Sequence, residues 1–144
     1  MLNIVRRMRA VGLSSNQVGV DLRMFVAILN GKPYVMLNPV ITPLTTIEYA
    51  SKEGCLSVPG YTDTVERIAH IEVEWRGVDG AHLHEEFMEF NASVIQHETD
   101  HLDGILFIDN LSSIKQARAR KKVDFWKRRN NSKGRSSYKP QETA

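Results

Sequence analysis

A single cysteine, Cys55, occurs in the 144 residues. It rules out an internal disulfide framework and fits either a reducing compartment or a thiol used for chemistry. Long apolar runs are missing too: no stretch approaches the roughly 20 apolar residues of a membrane span. The opening MLNIVRRMRAVG is too short and too arginine-rich for the apolar region of a signal peptide. These absences point to a cytoplasmic protein with no membrane partner. No internal repeat is visible. At 42% hydrophobic content the chain has material for one domain and one core.

The charge that is present is unevenly spread. Residues 1–111 carry a net −7, whereas residues 112–144 carry a net +9. A basic end of this kind suits an acidic partner, with RNA or an anionic lipid as the usual candidates, or else a solvated helix and tail.

Met1, Ile4, Val5 and Met8 repeat at helical spacing, so the chain opens on an amphipathic helix that ends before Gly12. Residues 23–29 and 33–37 read as strands around Asn30-Gly31, a dipeptide suited to a two-residue hairpin. Asn38-Pro39 and Pro43 then interrupt regular structure, and a loop region follows. Residues 68–76 and 81–88 form a second hairpin through Asp79-Gly80. Residues 92–102 fit a short helix with Asn91 as N-cap and Gly104 past its end. A basic helix over about 112–128 places Ile114, Ala117, Val123 and Trp126 as its apolar residues, and residues 130–144 form a polar tail.

The chemistry centres on Gln96-His97-Glu98-Thr99-Asp100-His101. On a helix His97 and His101 lie one turn apart and reach a single ion, while Glu98 sits beside it as a base for water. A catalytic site of this type needs a third protein ligand. The extended protease pattern puts a histidine where this chain has Phe107, and the only glutamate beyond His101 is Glu142 in the polar tail. The third ligand therefore lies upstream, among His70, His82, His84, several carboxylates and Cys55. His82 and His84 alternate with apolar residues on a strand and read as solvent-facing, and His70 is similar. Cys55 reads either as a small buried hydrophobe or as a thiolate ligand.

Three motifs taken together resemble the peptide deformylase family, of bacterial type. Glu53-Gly54-Cys55-Leu56-Ser57 and Gln96-His97-Glu98-x-Asp100-His101 are intact. The motif usually written Gly-apolar-Gly-apolar-Ala-Ala-x-Gln reads here Ala10-Val11-Gly12-Leu13-Ser14-Ser15-Asn16-Gln17. The resemblance covers residues 1 to about 128. It implies an α+β fold, with antiparallel β-sheets packed around a central metal-binding helix, an N-terminal helix and a C-terminal basic helix. Residues 1–129 form one catalytic domain in this reading. The family also carries a segment before its first helix; this chain begins almost on that helix, as a naturally short form of the kind phage genomes carry or as a sequence that starts late.

The resemblance makes Cys55, His97 and His101 the metal ligands, Glu98 the acid/base, and Gln17 with the Leu56 backbone N–H the oxyanion donors. It assigns substrate contacts to Val11, Gly12, Gly60, Tyr61 and Val94, with Ile95 divided between pocket and core. The cofactor implied is one divalent ion, Fe²⁺ in the cell, with Zn²⁺, Ni²⁺ or Co²⁺ as substitutes. The implied activity is hydrolysis of the formyl group from the formyl-methionine of nascent polypeptides. The protein would act as a monomer in a bacterial or phage-host cytoplasm, and its basic helix would meet the ribosome. Glu53 is expected to pair with Arg67 and hold the Cys55 loop. Ala10, Ser14 and Ser15 are expected to narrow or polarise the groove. The rivals are a zinc peptidase cutting an internal amide and a metal-stabilised ribosome-binding protein.

Overall fold

The computed structural model describes residues 1–133; the rest of the expected tail, residues 134–144, lies outside the described residues. In chain order the elements are α1 (Leu2–Met8), β1 (Gly12–Ser14), a 3-10 turn (Ser15–Val18), β2 (Met24–Leu29) and β3 (Lys32–Pro43). They continue as β4 (Glu48–Cys55), β5 (Val58–Ile68), β6 (His70–Arg76), β7 (His82–Met88), α2 (Glu89–Leu102), a second 3-10 turn (Phe107–Asn110) and α3 (Ser113–Lys133). A five-stranded antiparallel sheet has the order β1-β2-β3-β6-β7, and β4-β5 forms a separate two-stranded sheet. The α+β architecture with α2 at its centre is the one expected.

The first hairpin turns at Asn30 and Gly31, whose φ angles of 50° and 77° match a turn of the twist antiparallel strands favour. β3 does not stop at Asn38-Pro39. The strand absorbs the pair as a bulge, with Asn38 at φ 52° and the register shifting between Leu37 and Val40. Proline lacks the N–H for a regular ladder, and an irregularity is where a sheet tolerates it.

Residues 44–67, read from sequence as a loop region, are mostly the β4-β5 hairpin. Its inward side chains include Ser51, Glu53 and Arg67, all buried. β4 buries only Ser51 and Glu53, and β5 buries Val58, Tyr61 and Val65 at uneven spacing beside Arg67, so neither strand carries a clean apolar alternation.

The main core gathers Phe25, Met36, Ile71, Val73 and Phe87 from the large sheet and Ala92 and Ile95 from α2. Each large apolar side chain buried here contributes about 1.5–3 kcal/mol relative to exposure. α2 starts at Glu89, with Met88 as its N-cap, so Asn91 lies inside the helix. Gly104, at φ 75°, donates its N–H to the His101 carbonyl and ends α2 as expected.

A second core holds Val58, Tyr61, Val65, Phe107 and Ala119, with Val123 against it. α3 therefore docks on β5 through Ala119 and Val123. Ile114 is exposed, Trp126 only partly covered, and the helix runs on to Lys133. The apolar face drawn from sequence was set at the wrong angle around the axis. In a helix this rich in lysine and arginine, small Ala119 makes the close contact.

Candidate active site

α2 presents His97, Glu98 and His101 to the tip of the β4-β5 hairpin, where Cys55 precedes the turn at Leu56 and Ser57. His97 and His101 stand one helical turn apart with their rings edge to face, centroids 4.6 Å apart. The two Nε2 atoms are 3.1 Å apart, and His101 Nε2 is 3.2 Å from Cys55 Sγ. All three donor atoms fall within 4.8 Å of one another. Metal bonds of about 2.0–2.3 Å at tetrahedral angles would separate such donors by roughly 3.4 Å, so the set fits one ion.

The electrostatics suit that use. Burial pushes the Cys55 thiol up, but hydrogen bonding and positive charge from His101 and His97 outweigh it and bring the thiol to about 5. His97 is pulled the opposite way. Burial disfavours its charge, but Cys55, Glu53 and the nearby Glu98 carboxylate hold its proton to about 10. A divalent cation that displaced the His97 proton would meet a thiolate and two neutral imidazoles, a strong donor set for a borderline ion.

Behind the donors stands a chain of charges. Glu53 Oε1 lies 2.8 Å from His97 Nδ1, which orients Nε2 toward Cys55. Arg67 donates to both Glu53 oxygens, at 3.0 Å each, and its Nη1 donates to Asp100 at 2.6 Å. The expected Glu53–Arg67 pair is thus present. Asp100, unassigned from sequence, ties the same guanidinium back to α2.

Gln17 follows β1 on the 3-10 turn. Its Oε1 accepts from the Ser14 N–H at 2.9 Å, so its amide NH₂ must face the other way. There it donates to Ser57 Oγ at 3.0 Å and stands 3.7 Å from Cys55 Sγ. An amide fixed in this way presents its donors to the mouth of the donor cluster. Leu56 lines the same groove.

Glu98 is almost completely buried. Burial pushes its carboxyl up, against the pull of His97 and of a hydrogen bond from Ser14. Ser14 Oγ lies 2.7 Å from Glu98 Oε2 and 2.9 Å from the Glu98 carbonyl. Neither Ser14 nor Ser15 faces the groove, contrary to expectation: the first holds Glu98, and the second bonds the Leu22 carbonyl. Gly12 is needed for a reason the sequence did not reveal. A Cβ there would sit 2.7 Å from Glu98 Oε1 and 2.8 Å from its Cγ. Gly12→Ala is therefore expected to displace the carboxylate and lower kcat by about 10²-fold with bound metal unchanged, as paired kinetics and metal analysis would record.

The groove beside the cluster encloses about 1190 Å³. Val11, Gly12, Gly60, Tyr61 and Val94 all line it, as expected. Ile95 does not; it is fully buried in the main core. Tyr61 reaches the groove while its ring stacks on Phe107. Phe107, which occupies the place of a protease's third histidine, packs its ring near that of His97, centroids 6.1 Å apart. His82 and His84 are exposed, and His70 pairs with Glu86 on the strand surface. None of the three joins the cluster. Asn16, missed from sequence, donates to the His101 carbonyl at the end of α2.

The chain matches the family profile described as polypeptide deformylase over residues 1–117. It belongs to the peptide deformylase family. It is 42% identical over 113 residues to a peptide deformylase of Pseudothermotoga lettingae, covering 78% of this chain and 66% of that protein. To one from Psychrobacter cryohalolentis it is 39% identical over 126 residues, covering 85% and 68% of the two chains. Solved deformylase structures superpose closely. That from Ehrlichia chaffeensis gives a TM-score of 0.85 at 33% identity, covering 90% of this chain and 80% of that one. That from Thermus thermophilus gives 0.79 at 36% identity, covering 90% and 81%. The chain thus spans about two thirds of the length of these curated deformylases, and the matched part contains every residue of the cluster.

Proposed function

We propose that the protein hydrolyses the N-formyl group of formyl-methionyl nascent peptides to formate and a free amino terminus. The observation carrying this reading is the convergence of Cys55, His97 and His101 with the Gln17 amide fixed toward them. Cys55, His97 and His101 would hold one divalent ion, which supplies Lewis acidity toward water and the formyl carbonyl. Glu98 takes a proton from the attacking water as its oxygen bonds the formyl carbon. The Gln17 amide and the Leu56 N–H donate to the oxygen as negative charge builds. Glu98 then returns its proton to the departing nitrogen as the C–N bond breaks, so protons and electrons balance.

The donor set accepts Fe²⁺, Zn²⁺, Ni²⁺ and Co²⁺, and raw affinity does not choose between them. Fe²⁺ is proposed as the working ion, in the cytoplasm where nascent chains are made. Incubating the protein with a formyl-Met peptide and reading masses separates the alternatives. Loss of the formyl group alone supports deformylation, and two internal fragments would support a peptidase instead. Gln17→Leu is expected to lower kcat by about 10²-fold with metal content unchanged, because only the charged transition state loses a donor.

The basic α3 helix is proposed to meet the ribosome. Deleting it is a poor test, because Ala119 and Val123 seal the core around Phe107. Neutralising exposed Arg120, Lys121 and Arg128 with glutamine spares that seam. Ribosome binding is expected to weaken about 10-fold at moderate salt, with little change in hydrolysis of a free peptide. Unchanged ribosome binding in a sedimentation assay would leave α3 as a packing helix.

A further inference from the structure

The late turns of α3 do more than cover the second core: Trp126, Lys127 and Asn130 line the groove that runs past the metal-ligand cluster. Trp126 packs against Gly60, a glycine at φ 79° whose Cβ would lie 3.4 Å from the Trp126 ring. Part of the groove lining is thus supplied by a helix that contributes no residue to the cluster itself.

The charge of the lining is one-sided. Arg9, at the left-handed end of α1, lines the groove together with Lys52 of β4 and Lys127 of α3, and all three side chains are exposed. Among the described residues none of the three has a salt-bridge partner. The acids that line the groove are Glu53 and Glu98, both buried and both engaged, Glu53 with Arg67 and His97 and Glu98 with Ser14. Residues 1–111 carry a net −7, so unpaired cations around this groove run against the charge of the body that forms it. A cationic rim on a low-dielectric groove concentrates anionic ligands and holds them at the entrance.

We infer that the Arg9, Lys52 and Lys127 rim, beside Trp126, selects peptide substrates with acidic side chains in the residues following the N-terminal methionine. The inference rests on the deformylase reading, since it takes the groove to hold the peptide beyond its formyl group. Exposed charges act mainly on encounter and binding, so selection appears in KM and Kd with little change in kcat.

The test uses three peptides, formyl-Met-Ala-Asp-Glu, formyl-Met-Ala-Ser-Ser and formyl-Met-Ala-Lys-Lys, with kcat and KM measured on the native protein. Kd is measured for fluorescent versions on the Glu98→Gln protein. At low salt kcat/KM is expected to fall about 10-fold from the acidic to the basic peptide, through KM, with the ratio shrinking as salt screens the rim. Arg9→Glu combined with Lys127→Glu is expected to reverse the order. Lys32→Glu, which removes a cation from the far hairpin, is expected to leave it intact. Equal KM and Kd across the three peptides overturns the inference, as does an order that Arg9→Glu with Lys127→Glu leaves unchanged or that Lys32→Glu alters equally. Absence of formate from all three peptides sinks the deformylase reading instead, and the Kd series still decides whether the rim selects acidic chains.

Discussion

Glu98→Gln is expected to reduce formate release by about 10³-fold, within the usual range for loss of a general acid and base. The substitution keeps the shape of a side chain that is 5% exposed, and Ser14 can still donate to the new amide oxygen. Glu98 is not among the metal donors, so metal content should stay at the native level. Steady-state kinetics together with elemental analysis of the same preparation provide the check. A variant that loses the ion as well as the rate would make Glu98 a ligand or a folding residue. Activity within a few-fold of native would assign the proton transfer to another group.

Arg67→Ala is expected to have the largest effect on stability. Arg67 and Glu53 are each 7% exposed. The guanidinium satisfies Glu53 at both oxygens and Asp100 at a third contact. Its removal leaves a carboxylate buried with His97 as its remaining partner and detaches the β4-β5 hairpin from α2. Breaking a buried pair in this way costs about 3–5 kcal/mol, a drop in Tm of about 10 °C for a chain of this size. Arg67→Lys should recover little of it, because one ammonium cannot reproduce the planar fork. The metal is expected to bind more weakly as well, since His97 loses the carboxylate that sets its ring and Cys55 loses its anchored hairpin.

The pH dependence has a definite sign. Burial would raise the Glu53 carboxyl, but hydrogen bonds from His97 and Arg67 outweigh it and hold the group below its ordinary value of 4.5. A depressed carboxyl contributes stability that is present above the unfolded value and lost as pH falls through the folded one. Native protein should therefore lose Tm steeply below about pH 4.5, whereas Arg67→Ala should lose less in that window. Thermal melts of the two proteins across the acid range give the comparison. Parallel curves would mean that the pair does not set acid stability.

The sequence showed the parts of this site that depend on periodicity and residue type. His97 and His101 declare themselves by helical spacing, and the Asn30-Gly31 and Asp79-Gly80 turns announce the two hairpins of the large sheet. What stayed hidden is polar and buried. β4 turns only Ser51 and Glu53 inward, and β5 sets buried Arg67 beside Val58, Tyr61 and Val65 at uneven spacing, so the hairpin mimics a loop. Its tip carries Cys55, and only the folded hairpin explains why a cysteine far away in sequence meets the histidine helix. Ser14 was legible as a departure from a small-residue pattern, yet its target, Glu98, lies across the fold and leaves no trace in spacing. The start of α2 was misplaced because Asn91 is a good cap by type, while the chain enters the helix at Glu89 through a residue at φ 49°. On α3, dense lysine and arginine blurred the apolar face, so Ile114 was expected inside and Ala119 was overlooked.

Formate release from a formyl-Met peptide, followed as a divalent ion is returned anaerobically to chelator-treated protein, tests directly whether hydrolysis depends on one ion at Cys55, His97 and His101. Activity is predicted to be absent in chelator, to rise in proportion to added ion and to level off at one ion per chain, with Cys55→Ser binding the ion far more weakly. Full formate release in excess chelator with no ion bound, or saturation unaffected by Cys55→Ser, would contradict it.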